Sequence, residues 1–288
     1  MEKSEKQDIR TPFAEFLMKF KRQKTAIVAL LFILILVILS IFGEMIVPYG
    51  VDEFDYNNVL QGPTKEHLFG TDEFGRDIFS RVILGARISL AVGLSSVTVG
   101  AIVGTILGLL SGYYGGIIDS IIMRISDTLF AFPGVILAIG IMAILGPGIF
   151  NVVIAVAIFS APSFARIVRS STLAQKESVY VQAAKNLGAS DARILIKHIL
   201  PGAMSNIIVY YTMNIGSSIL TASSLSFLGM GAAAPSPEWG LQLSTGRAYV
   251  GLNWHMTFFP GFAIFLTVLS FNLLGDGLRD ALDPKLIQ

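Results

Sequence analysis

Chemistry on a polypeptide starts with its imidazoles, thiols and carboxylates. This chain of 288 residues holds three histidines, His67, His198 and His255, and no cysteine. His67 precedes Asp72 in a charged stretch that also carries Arg76, Asp77 and Arg81, so a base and an orienting acid could meet there. Acyl transfer would also need a nucleophile in a dry pocket, and there is no G-x-S-x-G turn to present one. The zinc-binding H-E-x-x-H pair and the G-x-x-x-x-G-K-[ST] phosphate loop are absent too. The chain is therefore expected to be non-catalytic, with no metal site and no cofactor of its own.

The composition points instead to the lipid bilayer. Hydrophobic residues make up 53% of the chain and charged ones 14%, where a soluble domain carries about a quarter charged residues. A net charge of +1 leaves no basic field for nucleic acid. Charges are missing altogether from 25–43, 88–118, 128–165, 199–237 and 248–275. A helix needs about 20 apolar residues to cross hydrocarbon. The third window holds two such lengths, divided by Gly146, Pro147 and Gly148. The pattern predicts an all-α polytopic membrane protein with six transmembrane helices near 26–46, 88–111, 128–145, 149–166, 204–228 and 255–275. The first is too long for a signal-peptide core and ends in a poor cleavage site, Gly43-Glu44-Met45, so it is expected to stay in the membrane.

Lys and Arg then orient the chain. With the N-terminus inside, 16 of the 21 basic residues fall on inner segments and five on outer ones. Both termini are thus expected to be cytoplasmic. The division reads as a cytoplasmic segment 1–24, a first span 25–47, an extracytoplasmic loop 48–86, a core 87–275 and a tail 276–288. No Asp, Glu, Lys or Arg lies inside a predicted span, whereas ion-coupled carriers usually keep such a residue near the midplane. A stand-alone channel or secondary carrier remains the alternative, and a non-transporting anchor for an ATPase a third reading. If transport is active, another polypeptide supplies the energy, and the inner face must carry a place to dock it.

The only large inner connection is 166–201. Its centre reads as helix, glycine break, helix. Ala183, Ala184 and Leu187 share one predicted face, Gly188 closes the first helix, and Ser190 with Asp191 opens the second. Ile194, Leu195 and His198 form a second face, and Pro201 marks the return to the membrane. A hairpin lying on its own bundle would show the same punctuation.

This stretch resembles the EAA loop of membrane subunits of ATP-binding-cassette (ABC) importers. Gln182, Ala183, Ala184, Gly188, Leu200 and Pro201 fall in register, with Gln182 in place of the acid and His198 in place of an aliphatic residue. The segment HLFGTDEFGRDIFSR at 67–81 is similar to a stretch of C-type dipeptide and oligopeptide permeases. So are YYGG at 113–116 with Asp119, PSPEWG at 235–240, and NLLGDGLRDALDP at 272–284. The resemblance implies the type I importer permease fold. It also implies that Gln182, Ala183, Ala184, Gly188, Ala189, Ser190, Asp191, Leu200 and Pro201 couple the chain to an ATPase. The implied partners are a homologous permease subunit in a heterodimer, two cytoplasmic ATPase subunits that bind ATP and Mg, and an extracytoplasmic peptide-binding protein. The implied place is the cytoplasmic membrane of a bacterium or archaeon. Relatives in that branch carry short peptides, and others carry nickel or glutathione.

Five further expectations concern particular residues. Glu238 and Trp239 would belong to an outer rim that meets the binding protein. Asn214 and Asn272 would face the substrate pathway or hydrogen-bond between helices. Gly100, Gly104 and Gly108 would form a close-packing stripe, either within the subunit or at a dimer face. Trp239, Trp254, Phe258 and Phe259 would sit at the outer membrane interface. The charges of 72–81 are expected to pair among themselves as an exposed cap, each pair worth little.

Overall fold

The computed structural model describes residues 12–282. Lys3, Lys6, Arg10, Lys285 and the tail residues Asp283 and Pro284 lie outside the described residues. The elements in order are α1 (Pro12–Arg22), α2 (Lys24–Ile46), α3 (Ile78–Tyr114), α4 (Gly116–Phe130), α5 (Gly134–Leu145), α6 (Ile149–Lys176), α7 (Val179–Asn186), α8 (Asp191–Arg193), a π-helical turn (Ile194–Ile199), α9 (Leu200–Phe227), α10 (Trp239–Gly246) and α11 (His255–Leu282). Among the described residues there is no β-strand, only an isolated bridge between Thr71 and Asp77.

Five helices are long and apolar enough to cross a bilayer: α2, α3, α6, the continuous 191–227 helix and α11. The predicted third span is not one straight helix. The Phe132-Pro133 pair interrupts it, because proline pushes the preceding residue out of helical geometry. The halves α4 and α5 meet at 98°. At 12 residues, α5 is too short to cross hydrocarbon alone. The bent pair nonetheless carries the chain from the end where α3 finishes to the end where α9 finishes, where Gly148 N–H donates to the Met230 carbonyl at 2.9 Å. The Gly146-Pro147-Gly148 turn lies where the sequence places it, with Gly146 at φ +81°.

Hydrocarbon offers no reward for hiding one apolar side chain behind another, so helices must adhere through close contact. The centre of the bundle is the pair α3 and α6, and the glycine stripe makes it. A Cβ on Gly104 would collide with the Ala161 carbonyl and lie 2.5 Å from Phe164 Cβ. On Gly108 it would lie 2.5 Å from the Ala165 carbonyl, and on Gly112 2.7 Å from Thr172 Cβ. Gly100 meets Ser160 in the same way. The stripe therefore serves packing within the subunit, and of the two readings the dimer face falls away. At the far end of the bundle, Phe20 and Ala26 pack against Ala281, and Gln23 Nε2 donates to Asp280 at 3.1 Å. The two ends of the described chain thus share one face.

Replacing Gly104 with valine inserts three carbons where backbone already touches backbone. The expected cost is about 3 kcal/mol, at the upper end of ordinary overpacking. It should appear as a lower unfolding midpoint of the detergent-solubilised protein, and an unchanged midpoint would contradict the α3–α6 contact.

Candidate functional site

The hairpin between α6 and α9 is built from a single helical turn sequence that closes on glycine. Leu187 ends α7, and Gly188 follows at φ +82°. Ala189 N–H donates to the Ala184 carbonyl at 3.1 Å and Gly188 N–H to Lys185 at 3.0 Å. This is a Schellman closure, which satisfies the last carbonyls and requires a residue free of Cβ strain. Ser190 occupies the N-cap position of the next helix but makes no side-chain cap bond. That helix does not stop at Pro201. Leu200 N–H reaches back five residues to the Leu195 carbonyl, and this wider turn leads straight into α9. Proline sits in the first turn of α9, where its missing N–H costs least. The expected return at Pro201 is therefore a continuous rod.

The hairpin has a rooted side and a free side. Val181, Ile194, Leu195 and Ile199 are buried with Leu109, Tyr113 and Val168 of the bundle. The face predicted on α7 is turned outward, with Ala183 and Leu187 exposed, while Val181 on the other side points inward. Val179 is 85% exposed and Leu187 88%, so 179, 183 and 187 form an outward stripe at helical spacing. Among the described residues nothing lies within 4 Å of a Cβ built on Gly188. On the second half, His198 is half-buried and Ile199 takes its predicted place in the core, because the π turn changes the phase.

Polar bonds brace the root. Tyr180 donates from its hydroxyl to Gln175 Oε1 at 2.7 Å and to the His198 carbonyl at 3.0 Å. Tyr113, at the end of α3, donates to Asp191 Oδ1 at 2.7 Å. Lys176 Nζ donates to the Tyr113 carbonyl at 2.7 Å. Arg169 forks onto both oxygens of Asp119, each at 2.6 Å, and Ser111 donates to the same carboxylate. Of these residues Asp191 is read from the sequence as a coupling residue that opens the second helix, Tyr113 and Asp119 only as parts of the permease-like YYGG stretch with no role attached. Tyr180 carried no signal.

The opposite end of the bundle is a sealed polar cap. Asp77 caps α3 by accepting from Ser80 N–H and Oγ, both at 2.7 Å, and lies 3.0 Å from His67 Nδ1. Asp72 accepts from Arg76 Nε at 2.7 Å and from the Phe74 and Arg76 backbone N–H groups. Arg81 lies 3.7 Å from Asp72 and donates to the carbonyls of Val51, Pro235 and Ser236, tying α3 to both outer loops. The expected pairing of these charges is found, with His67 partnering Asp77 rather than Asp72. The expected exposure is not: Asp72, Arg76, Asp77 and Arg81 are all buried. Ion pairs of this kind are strongly coupled to folding because a lost partner strands a charge.

Two predicted docking residues are likewise interior. Glu238 caps α10 by accepting from Gly240 and Leu241 N–H at 3.0 and 2.8 Å, and burial pushes its carboxyl above the usual range. Trp239 is fully buried, its Nε1 donating to the Val82 carbonyl at 2.8 Å. Neither side chain offers a rim to a partner, and Trp239 does not join Trp254 and Phe258, which are exposed, in an aromatic belt. The PSPEWG stretch runs from an exposed Pro235 into the interior, with Pro237, Glu238, Trp239 and Gly240 buried. Asn214 and Asn272 are half-buried on α9 and α11 and do not come together with the hairpin.

Residues 104–288 match the family described as "Binding-protein-dependent transport system inner membrane component", and residues 11–63 match "N-terminal TM domain of oligopeptide transport permease C". The chain is 56% identical over 279 residues to the glutathione transport system permease protein GsiD of Escherichia coli O6:K15:H31 (strain 536 / UPEC), covering 96% of this chain and 92% of that protein. It is 57% identical, with the same coverage, to the protein of that name from Shigella flexneri serotype 5b (strain 8401). Among solved structures it resembles the methionine ABC transporter MetNI in inward-facing conformations, with a TM-score of 0.57 and 20% identity over 70% of this chain and 97% of that one. An amino acid ABC transporter with histidines gives a TM-score of 0.54 at 18% identity over 70% of this chain and 94% of that one. At these identities the two structures speak for the fold.

Asp72→Ala would leave Arg76 and Arg81 buried without their carboxylate. The expected loss is about 3–5 kcal/mol. It should show as a lower unfolding midpoint together with new protease cleavage between residues 47 and 77, and wild-type resistance there would refute the sealed cap.

Proposed function

Because the chain belongs to the binding-protein-dependent transport inner membrane components, and is a permease subunit of an ABC importer in the inner membrane, we propose that it imports short peptides, glutathione-sized tripeptides included. In this reading it pairs with a homologous, non-identical permease to enclose the pathway. Two cytoplasmic ATPases bind ATP and Mg and grip the 179–199 hairpin. A binding protein delivers the peptide on the opposite face, both chain ends are cytoplasmic, and the chain itself catalyses nothing. ATP-driven closure of the ATPase pair moves the hairpins and exchanges which side of the pathway is open.

One observation carries this reading. The Gly188 turn stands clear of its own bundle while the hairpin's opposite side is locked into it, with Val179 and Leu187 left outward. Two large aliphatic side chains held in water by a braced support make sense as the seat of a partner protein. The substrate class follows the GsiD likeness and the oligopeptide permease match.

The test is uptake into liposomes holding both permeases, both ATPases and the binding protein. Labelled glutathione, dialanine and pentaalanine are offered in turn. Accumulation of at least one, only with ATP inside, is expected, and uptake without ATP or partners would make the chain a secondary carrier or channel. Gly188→Val forces a β-branched residue into left-handed geometry, at about 1–2 kcal/mol or more. Transport should fall about tenfold with the complex still assembled, and full transport by this variant would remove the hairpin from the coupling path.

A further inference from the structure

The hairpin is covalently joined to α6 and α9, yet the cap at the other end of the molecule is anchored on α3. A push on the turn reaches α3 only through non-covalent contacts. Among the described residues the hydrogen bond between α3 and the 177–199 segment is that of Tyr113 to Asp191, at 2.7 Å. Its placement is specific. Tyr113 is buried in the cluster that roots the hairpin, and it stands at the last turn of α3. Asp191 is the first residue of the long 191–227 helix, directly after the Gly188-Ala189-Ser190 turn. An acid there is favoured by the helix N-terminus, and a bond accepted by a carboxylate is stronger than one between neutral groups. Lys176 donates to the backbone carbonyl of the same tyrosine at 2.7 Å, so the residue is held by its main chain as well as by its hydroxyl.

From Tyr113 the helix runs without a break to Ile78, a rod about 55 Å long at 1.5 Å per residue. Its far end carries Asp77 and Arg81, and Arg81 holds the loops at Val51 and at 235–236. The glycine contact with α6 keeps the rod from sliding independently. We propose that Tyr113 is a positioning residue of the transport cycle, whose hydroxyl bond to Asp191 makes α3 the strut between the ATPase-facing turn and the outer cap. The proposal rests on the hairpin being the ATPase contact, and it adds the route by which a binding protein on the outer face changes ATP turnover inside.

The test uses the complete complex in nanodiscs, with both permeases, both ATPases and the binding protein. The readout is the ratio of ATP hydrolysis with peptide-loaded binding protein to hydrolysis without it. The peptide is the one among glutathione, dialanine and pentaalanine that the uptake assay accepts. Tyr113→Phe keeps the ring and deletes the bond, and the ratio should fall about fivefold, the equivalent of one net hydrogen bond. Asp191→Ala, which deletes the acceptor, should lower it to a similar degree, and the double variant should be no lower than the worse single one, since both remove the same link. An unchanged ratio in Tyr113→Phe, a lower melting temperature with no change in ratio, or additive losses in the double variant would each overturn the proposal. Asp191→Ala, which keeps the tyrosine and removes its acceptor, carries the test should the Tyr113→Phe complex not assemble. Gly188→Val in the same assay separates the two readings. If it abolishes stimulation while Tyr113→Phe does not, the strut alone fails, and if neither changes the ratio, the hairpin is not the coupling element.

Discussion

Two helices in hydrocarbon adhere only as well as their surfaces fit, because lipid tails are as apolar as leucine. The fit of α3 against α6 depends on four glycines at four-residue spacing, 100, 104, 108 and 112, whose missing side chains admit the backbone of the partner helix. Everything else is arranged around that contact. The 191–227 helix lies against α3 at Gly93 and Ile219, and α2 and α11 close the remaining sides through Leu36, Ile33 and Phe271. The interior relies mainly on close packing, with a hydroxyl bond between Thr98 of α3 and Tyr211 of α9 at 2.8 Å, and charge gathers at the two ends of the bundle, where water or buried partners can meet it.

The two ends use charge differently. In the cap, carboxylates and guanidiniums are buried and paired, with Asp72 alone accepting from two backbone amides and an arginine, while one oxygen of Glu73 is buried without a partner. Such a network is costly to assemble but costlier to break, and it makes one conformation of the 47–77 segment much more stable than its alternatives. The inner end is open. Arg166 and Asp127 pair in solvent at 2.8 Å, a contact worth little by itself. The hairpin keeps its aliphatic residues outward. A sealed end and an adhesive end are what a subunit needs if one face merely receives and the other is pulled.

The sequence made the large features readable because lipid punishes charge so strongly. Five charge-free windows and a glycine-proline turn were enough to place six passages. What escaped reading was set by geometry rather than polarity. The bend at Phe132-Pro133 falls inside an apolar window, so hydropathy could not reveal that a passage is broken there. Trp239 and Glu238 looked like rim residues because an aromatic and an acid in an outer loop usually are. Only the fold shows that α10 tucks between α3 and α11, drawing both inward. The phase of the hairpin slipped for a similar reason. A π turn changes the side-chain register by a fraction of a turn, and Ile199 rather than His198 enters the core. Tyr113 and Asp191 lie far apart along the chain, and no local pattern joins them.

The π turn also bears on how the hairpin can act. A proline within a helix leaves the carbonyl four residues earlier without its donor and presses on it. Here the widened turn ends at Ile199, and the helix continues past Pro201, so that 191–227 is one helix. A hinge at this point would dissipate displacement of the Gly188 turn before it reached the bundle. With the hinge removed, a shift of the turn becomes a tilt of the whole helix. Ile207, Ile215 and Ile219 on that helix pack against neighbours that include α3, so the tilt is felt along its length. The polar residues half-buried on this helix, Asn214 among them, must move with it. Rigid mounting below and a pre-sealed cap above therefore leave the middle of the bundle as the place where a change of shape can occur.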